Sequence, residues 1–345
     1  MLPSYRRMVL LTEGQLGVYS SKTAAVVLRY RAADVVGLID APAAGRRVQE
    51  VIPWAPPVPI LPDMTAAAVL RPDALLIGVA PVGGALPEPM RRHVRAALHA
   101  GVDVVSGLHH FLADDAELAD LAAASGARIH DLRRPPAERV VASARALSTR
   151  CRRVLTVGTD CNVGKMVTAL ELSLAARRRG LDARFLPTGQ TGIMVAGRGV
   201  TIDACVADFV AGAVEQMVLD AADADVCFIE GQGSVAHPGF SGVTLSLLHG
   251  AGPHALVLVH QLGRTQYNAP PRSPLPPIKT LLATYEQAAA FLHPARVVAV
   301  ALNTLDHDDD AARVAARRLE DELGVPVADP IRDGCDRLLE AALAG

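Results

Sequence analysis

The chain has 345 residues, half of them apolar, and carries 34 Lys and Arg against 36 Asp and Glu for a formal net charge of -2. That length can bury two cores of ordinary size, which excludes a single small module. The balanced charge leaves no footprint for nucleic acid or an anionic membrane, and no apolar run approaches the roughly 20 residues of a membrane span, so a soluble cytoplasmic protein is expected. The five cysteines, Cys151, Cys161, Cys205, Cys227 and Cys335, are scattered and never spaced C-x-x-C, which argues against a zinc site or a disulfide framework. Only three lysines occur, Lys22, Lys165 and Lys279. A lysine in an arginine-rich chain singles out Lys165, where a compact ammonium is wanted rather than a planar fork.

In chain order, MVLLTEG, DVVGLIDA, DALLIGVAP, VDVVSGLHHFL and ARIHDLR read as short buried strands alternating with helical stretches such as SKTAAVVLRYR and PEPMRRHVRAALHAG. This alternation predicts a parallel sheet covered by helices, in an α/β domain over residues 1–137. Asp40 closes the second strand where a dinucleotide fold carries its ribose-binding acid, but GQLG at 14–17 is not the G-x-G-x-x-G fingerprint. RRPPAE at 133–138 breaks the periodicity, and 138–150 is expected to be a linker helix. A second α/β series over 151–345 begins with RRVLTVG and continues through ADVCFIEG, PHALVLVH and ARVVAVALN. The proline-rich stretch 266–280 reads as a loop over a site.

The stretch GTDCNVGKM follows the strand RRVLTVG and precedes a helix ending at Gly180. Strand, glycine-bearing turn and helix N-terminus form the context of a phosphate loop, here one residue longer than G-x-x-x-x-G-K. Gly158, Thr159, Asp160, Cys161, Asn162, Val163, Gly164, Lys165 and Met166 are the expected binding residues. Backbone amides and the helix dipole favour an anion there, and Lys165 adds charge. Met166 stands where such loops carry the hydroxyl that binds magnesium, and a thioether is a poor ligand for that cation. Thr168 points to another side of the helix. Phosphate is therefore expected more strongly than magnesium.

Two further stretches follow strands and belong near the loop. PTGQTG at 187–192 offers Gln190, Thr191 and Gly192; IEGQGSVAHPGFSG at 229–242 offers Glu230, Gln232, Gly233, Ser234 and His237. A carboxylate and an imidazole near an anion site are acid/base candidates. Residues 199–218 read as a helix with Asp203 near its start, serving either the helix N-terminus or a cleft as base.

GTDCNVGKM, LPTGQTGIMVAG, IDACVADFVAGA and IEGQGSVAHPGFSGVTLSLLHG together resemble the DUF1611 family, which includes a D-glutamate N-acetyltransferase. The resemblance implies a Rossmann-like domain followed by a P-loop NTPase-like domain, each on a parallel sheet. The loop, PTGQTG and IEGQGS also resemble dethiobiotin synthetase, in which a hydroxyl residue and a lysine stand at the positions of Met166 and Leu186. Losing both removes a metal ligand and a transition-state cation while leaving the phosphate cradle. The family pattern shows two threonines after the methionine, where this chain has Val167 and Thr168.

The resemblance implies acetyl transfer from acetyl-CoA to the amine of a D-amino acid, with a phosphate of CoA in the loop. Transfer to an amine needs a base, for which Asp203 and Glu230 are the candidates, with His237 beside them. Arg198 and Arg264 are candidates for the acceptor's carboxylate, by bidentate pairing. The runner-up is an ATP-dependent ligase or kinase in which Asp160 and Glu230 hold magnesium, and a third reading is a non-catalytic nucleotide or acyl-CoA sensor. The expected partners are small molecules and a second copy of the chain, with no nucleic acid and no membrane.

Overall fold

The computed structural model describes residues 2–81, 83–268 and 272–344. The chain divides into two compact units. One comprises the residues up to Pro135 together with Gln190–Ala204, and the other Pro136–Gly189 together with the residues from Cys205 onward. Two expectations about domain organisation are corrected here. The boundary is not a single cut, because Gln190–Ala204 leaves the second unit's sequence to pack in the first. The linker helix expected at 138–150 is only the 3-10 turn Arg145–Ser148.

The first unit is a parallel sheet of β1 (Met8–Leu11), β2 (Val35–Ile39), β3 (Ile60–Leu61), β4 (Ala74–Ile77), β5 (Asp103–Ser106) and β6 (Ile129–Asp131), in the order β3-β2-β1-β4-β5-β6. This is the Rossmann order, with its reversal between β1 and β4. Every residue of β1 and β4 is buried, as expected for central parallel strands covered on both faces. One core forms around Val9, Leu75 and Val104, and a second around Leu10, Leu76 and Val105, so adjacent residues along each strand feed opposite faces. Asp40 is buried at the end of β2 and accepts from the Thr12 hydroxyl at 2.8 Å and the Gly14 and Leu16 amides at 2.9 and 3.2 Å. Its carboxylate holds the turn after β1.

The second unit is another six-stranded parallel sheet: β7 (Arg152–Gly158), β8 (Ala183–Leu186), β9 (Val226–Ile229), β10 (Ala255–Gln261), β11 (Arg296–Asn303) and β12 (Val327–Ala328), in the order β12-β11-β10-β7-β9-β8. The phosphate-loop strand β7 lies between β9 and β10, so the loops leaving all three strands emerge at one sheet edge. The fold is thus α/β with two parallel sheets. Among the described residues no helix is long and apolar enough to cross a membrane.

Candidate functional site

Strand β7 ends at Gly158, whose carbonyl accepts the Tyr285 hydroxyl proton at 2.7 Å. The same buried hydroxyl accepts from the Val235 amide at 3.0 Å, tying the turn after β7 to the loop after β9. Burial pushes the Tyr285 phenol up to about 12, so it remains a donor across the physiological range. The chain then turns through residues 159–164 into the helix Lys165–Arg178. Gly164 takes φ +118°, a conformation L side chains rarely adopt, and this lets the turn feed directly into the helix N-terminus.

Lys165 is nearly buried, and its ammonium donates to the Asp160 carbonyl at 2.7 Å. The Asp160 carboxylate is inaccessible to solvent. One oxygen accepts from the Cys161 amide at 2.6 Å, and the other from Arg264 Nη1 and the Asn268 amide, both at 2.8 Å. Arg264 also donates to the Cys161 carbonyl at 3.0 Å and to Gln261. Arg264 thus braces the loop through Asp160 and the Cys161 carbonyl, and both Asp160 oxygens accept hydrogen bonds from the chain. Thr159 places its hydroxyl 3.0 Å from His260 Nδ1, and burial, with Arg264 as the second cause, holds that imidazole down to about 4.

On the other side of β7, Glu230 follows β9. Its carboxylate accepts from the Thr188 amide at 3.0 Å and from Gln232 Nε2 at 3.5 Å, while its carbonyl accepts from the Thr188 hydroxyl at 2.8 Å. Gly231 lies so close to β7 that a Cβ there would sit 1.7 Å from the Thr156 carbonyl oxygen. Only glycine lets the loop after β9 pass at that distance. His237 is buried against Phe240 and Tyr267, at ring-centroid distances of 4.5 and 4.8 Å. Its Nδ1 accepts from the Gly239 amide at 3.0 Å, and its buried Nε2 has no hydrogen-bond partner. A ring nitrogen of His237, the Cys161 sulfur and an Asp160 carboxylate oxygen lie within 4.8 Å of one another.

The carboxylate, thiol and imidazole form a donor set that suits zinc in kind. Their hydrogen bonds oppose that use: both Asp160 oxygens are occupied, and an Nδ1 that accepts an amide proton leaves the ring's own proton on Nε2. A cleft of about 600 Å³ opens beside Arg264, lined also by Gln261, Asn268, Arg272 and His307. Of the proline-rich stretch 266–280, residues 269–271 lie outside the described residues. Around them, Gln266 pairs with Pro274 and the Tyr267 amide donates to the Ser273 carbonyl, folding the stretch back on itself.

Gln190, Thr191, Gly192, Arg198 and Asp203 belong to the first unit. Gln190, Thr191 and Gly192 begin the helix Gln190–Ala196. Gln190 accepts from Arg133 Nη2 at 2.9 Å, Thr191 lies 3.0 Å from the Thr23 hydroxyl, and Arg198 is exposed. Asp203 sits in the 3-10 turn Ile202–Ala204, because the helix expected over 199–218 begins only at Ala207. Its carboxylate pairs with Arg133, a buried guanidinium that also donates to the Gly107 carbonyl at 2.7 Å. The Asp203 carboxylate is thus paired with Arg133 within the first unit.

Arg133, Tyr285, His260 and Tyr267 are the polar residues around these sites that the sequence did not single out. Tyr285 and Tyr267 are two of only five tyrosines in a chain with 3% aromatic residues, and that scarcity was the available signal.

The comparisons bear on family and fold. Residues 140–339 match the domain of unknown function described as the DUF1611_C P-loop domain, and residues 41–135 match the DUF1611_N Rossmann-like domain. A protein named D-glutamate N-acetyltransferase from Tritonibacter scottomollicae is 35% identical over 94% of this chain and 95% of its own length. One of the same name from a Pseudoalteromonas species is 38% identical over 79% of this chain and 82% of its own. The crystal structure of a protein from Anabaena variabilis matching the same description superposes with a TM-score of 0.94 at 42% identity, covering 99% of this chain and all of that one.

Proposed function

The chain belongs to the DUF1611 family, and from that premise we propose that it is an N-acetyltransferase that moves an acetyl group from acetyl-CoA to the amine of D-glutamate or a closely similar acidic amino acid. The observation that carries the choice of donor is the composition of the phosphate loop. It keeps its glycines, its helix N-terminus and Lys165, yet has Met166 and Leu186 where phosphoryl transfer calls for a hydroxyl and a cation. Such a loop grips a phosphate without serving its magnesium. CoA carries phosphates that meet this description, and the cleft beside Arg264, with Arg272 and His307 in its wall, offers room for the nucleotide end.

The amine reaches the enzyme as an ammonium and must lose a proton before it attacks. Of the three carboxylates Asp160, Asp203 and Glu230, the first two are paired with arginines. Glu230 follows β9 beside the loop strand β7, where its carboxylate accepts from the Thr188 amide at 3.0 Å and from Gln232 Nε2 at 3.5 Å. It is the base in this reading. The collapse of the tetrahedral intermediate then expels the thiol of the donor.

Calorimetry with acetyl-CoA, CoA and Mg-ATP, together with mass spectrometry of products from D-glutamate and acetyl-CoA, tests the proposal. Binding of both thioester and free CoA without magnesium, and formation of N-acetylglutamate, are expected. Magnesium-dependent ATP binding with no CoA binding would overturn the proposal in favour of a ligase or kinase, and ligand binding without any product would favour a sensor.

A further inference from the structure

Cys161 is a half-buried thiol in the turn that precedes the helix Lys165–Arg178. Neither the phosphate loop nor a direct transfer to the amine needs a sulfur there, since the loop binds through its backbone amides and Lys165. Two further features converge on that sulfur. The first is position: Cys161 lies in the turn that leads into the N-terminus of the helix Lys165–Arg178. The second is His237, whose ring nitrogen lies within 4.8 Å of the sulfur. The residue is 3% exposed, and its Nε2 is buried with no hydrogen-bond partner. A buried N–H without an acceptor costs free energy that a ligand oxygen would recover.

The tautomer decides what the imidazole can do. The Gly239 amide donates to Nδ1, so the neutral ring keeps its proton on Nε2 and presents a donor rather than a base. Phe240 and Tyr267 hold the ring in place, and Tyr267 is itself fixed by its bond to the Ala236 carbonyl at 2.8 Å. With one ring nitrogen within 4.8 Å of the Cys161 sulfur, the fixed ring is close enough for its N–H to serve the oxygen of an acyl group on that sulfur, where charge would develop.

We propose that Cys161 is the acyl carrier of this enzyme, with His237 Nε2–H as donor to the oxyanion formed at its sulfur. The proposal rests on the acetyltransferase reading and adds a covalent step to it. The Cys161 thiolate, its proton released to solvent, attacks the carbonyl carbon of the acetyl thioester. A bond forms between that carbon and the Cys161 sulfur, the bond to the CoA sulfur breaks, and CoA leaves as a thiolate that takes up a proton. The acceptor amine, deprotonated, then attacks the enzyme thioester. The new C–N bond forms, the bond to Cys161 breaks, the nitrogen loses its remaining extra proton to solvent, and the thiolate is regenerated. One thioester is exchanged for another and then spent on an amide, with no oxidant or further co-reactant.

The test uses the whole protein without acceptor. Wild type is incubated with acetyl-CoA and labelled CoA; exchange of label into acetyl-CoA is expected, and acid-quenched protein should carry one acetyl group on the Cys161 peptide, removable by neutral hydroxylamine. With D-glutamate added, double-reciprocal plots should be parallel. Cys161→Ala, checked for an unchanged melting transition, should lose exchange and lower N-acetylation by about 1,000-fold. His237→Phe should slow exchange and acceptor turnover together, and His237→Gln should recover part of both. Wild type that makes N-acetylglutamate with intersecting plots, no exchange and no labelled peptide would overturn the acyl carrier and leave the acetyltransferase standing. A wild type that forms no N-acetyl product yet exchanges CoA would instead overturn the assigned acceptor and keep the acyl carrier.

Discussion

Lys165 donates its ammonium to the Asp160 carbonyl at 2.7 Å, so the loop's cation is held by the loop's own backbone. A ligand phosphate would add a charged acceptor for that ammonium. Lys165→Ala should therefore weaken binding of acetyl-CoA by about 10- to 100-fold, the size of a charge-assisted hydrogen bond. Calorimetry measures it, and an affinity equal to wild type would place the phosphate elsewhere.

Met166 is the second residue of the helix Lys165–Arg178 and is half-buried. Met166→Thr restores a hydroxyl where a magnesium ion would be served. We expect affinity for Mg-ATP to rise by about tenfold while affinity for CoA stays within a factor of two or so, since the cradle for phosphate is unchanged. Titrations with and without magnesium separate the two effects.

Gly231 has no room for a side chain, as its Cβ would meet the Thr156 carbonyl oxygen at 1.7 Å. Gly231→Ala should push the loop after β9 off β7, and with it the Gly231 amide that donates to the Thr156 hydroxyl at 3.0 Å. The expected loss is about 1–3 kcal/mol, read as a lower urea midpoint. Turnover should fall further than stability does, because Glu230 is the adjacent residue.

His260 contributes to the pH dependence of stability. Its imidazole is buried and held down to about 4, against about 6.5 in an unfolded chain. Between those values the unfolded chain binds a proton that the folded one does not, so stability is fully present above about pH 6.5 and is lost as the pH falls toward 4. The loss attributable to this group is on the order of 3 kcal/mol. Urea midpoints measured from pH 7 to 4.5 should fall for wild type and fall less steeply for His260→Asn.

Much of this was legible in the sequence because it is local. The strands β1, β2, β4 and β7, and the turn 158–166, announce themselves through apolar runs, glycine placement and a rare lysine. Strands β3 and β12, two residues each at sheet edges, gave no run long enough to see. The partners of Asp203 and Arg264 were not legible either. Arg133 is 70 residues from Asp203, and Asp160 is 104 from Arg264, and nothing in residue spacing says which arginine a fold will bury beside which carboxylate. Each pairs with a residue of its own chain that lies far off in sequence.

The excursion of Gln190–Ala204 makes neither unit a contiguous stretch of coding sequence. A fragment ending at Pro135 would keep the buried guanidinium of Arg133 but lose both Asp203 and Gln190, the side chains that accept from it. Such a fragment begins with an orphaned charge in its interior, a penalty of several kcal/mol. The two halves of this gene therefore cannot be exchanged between relatives by a single crossover near residue 135; recombination that preserves folding must carry the intervening segment with the half it packs in.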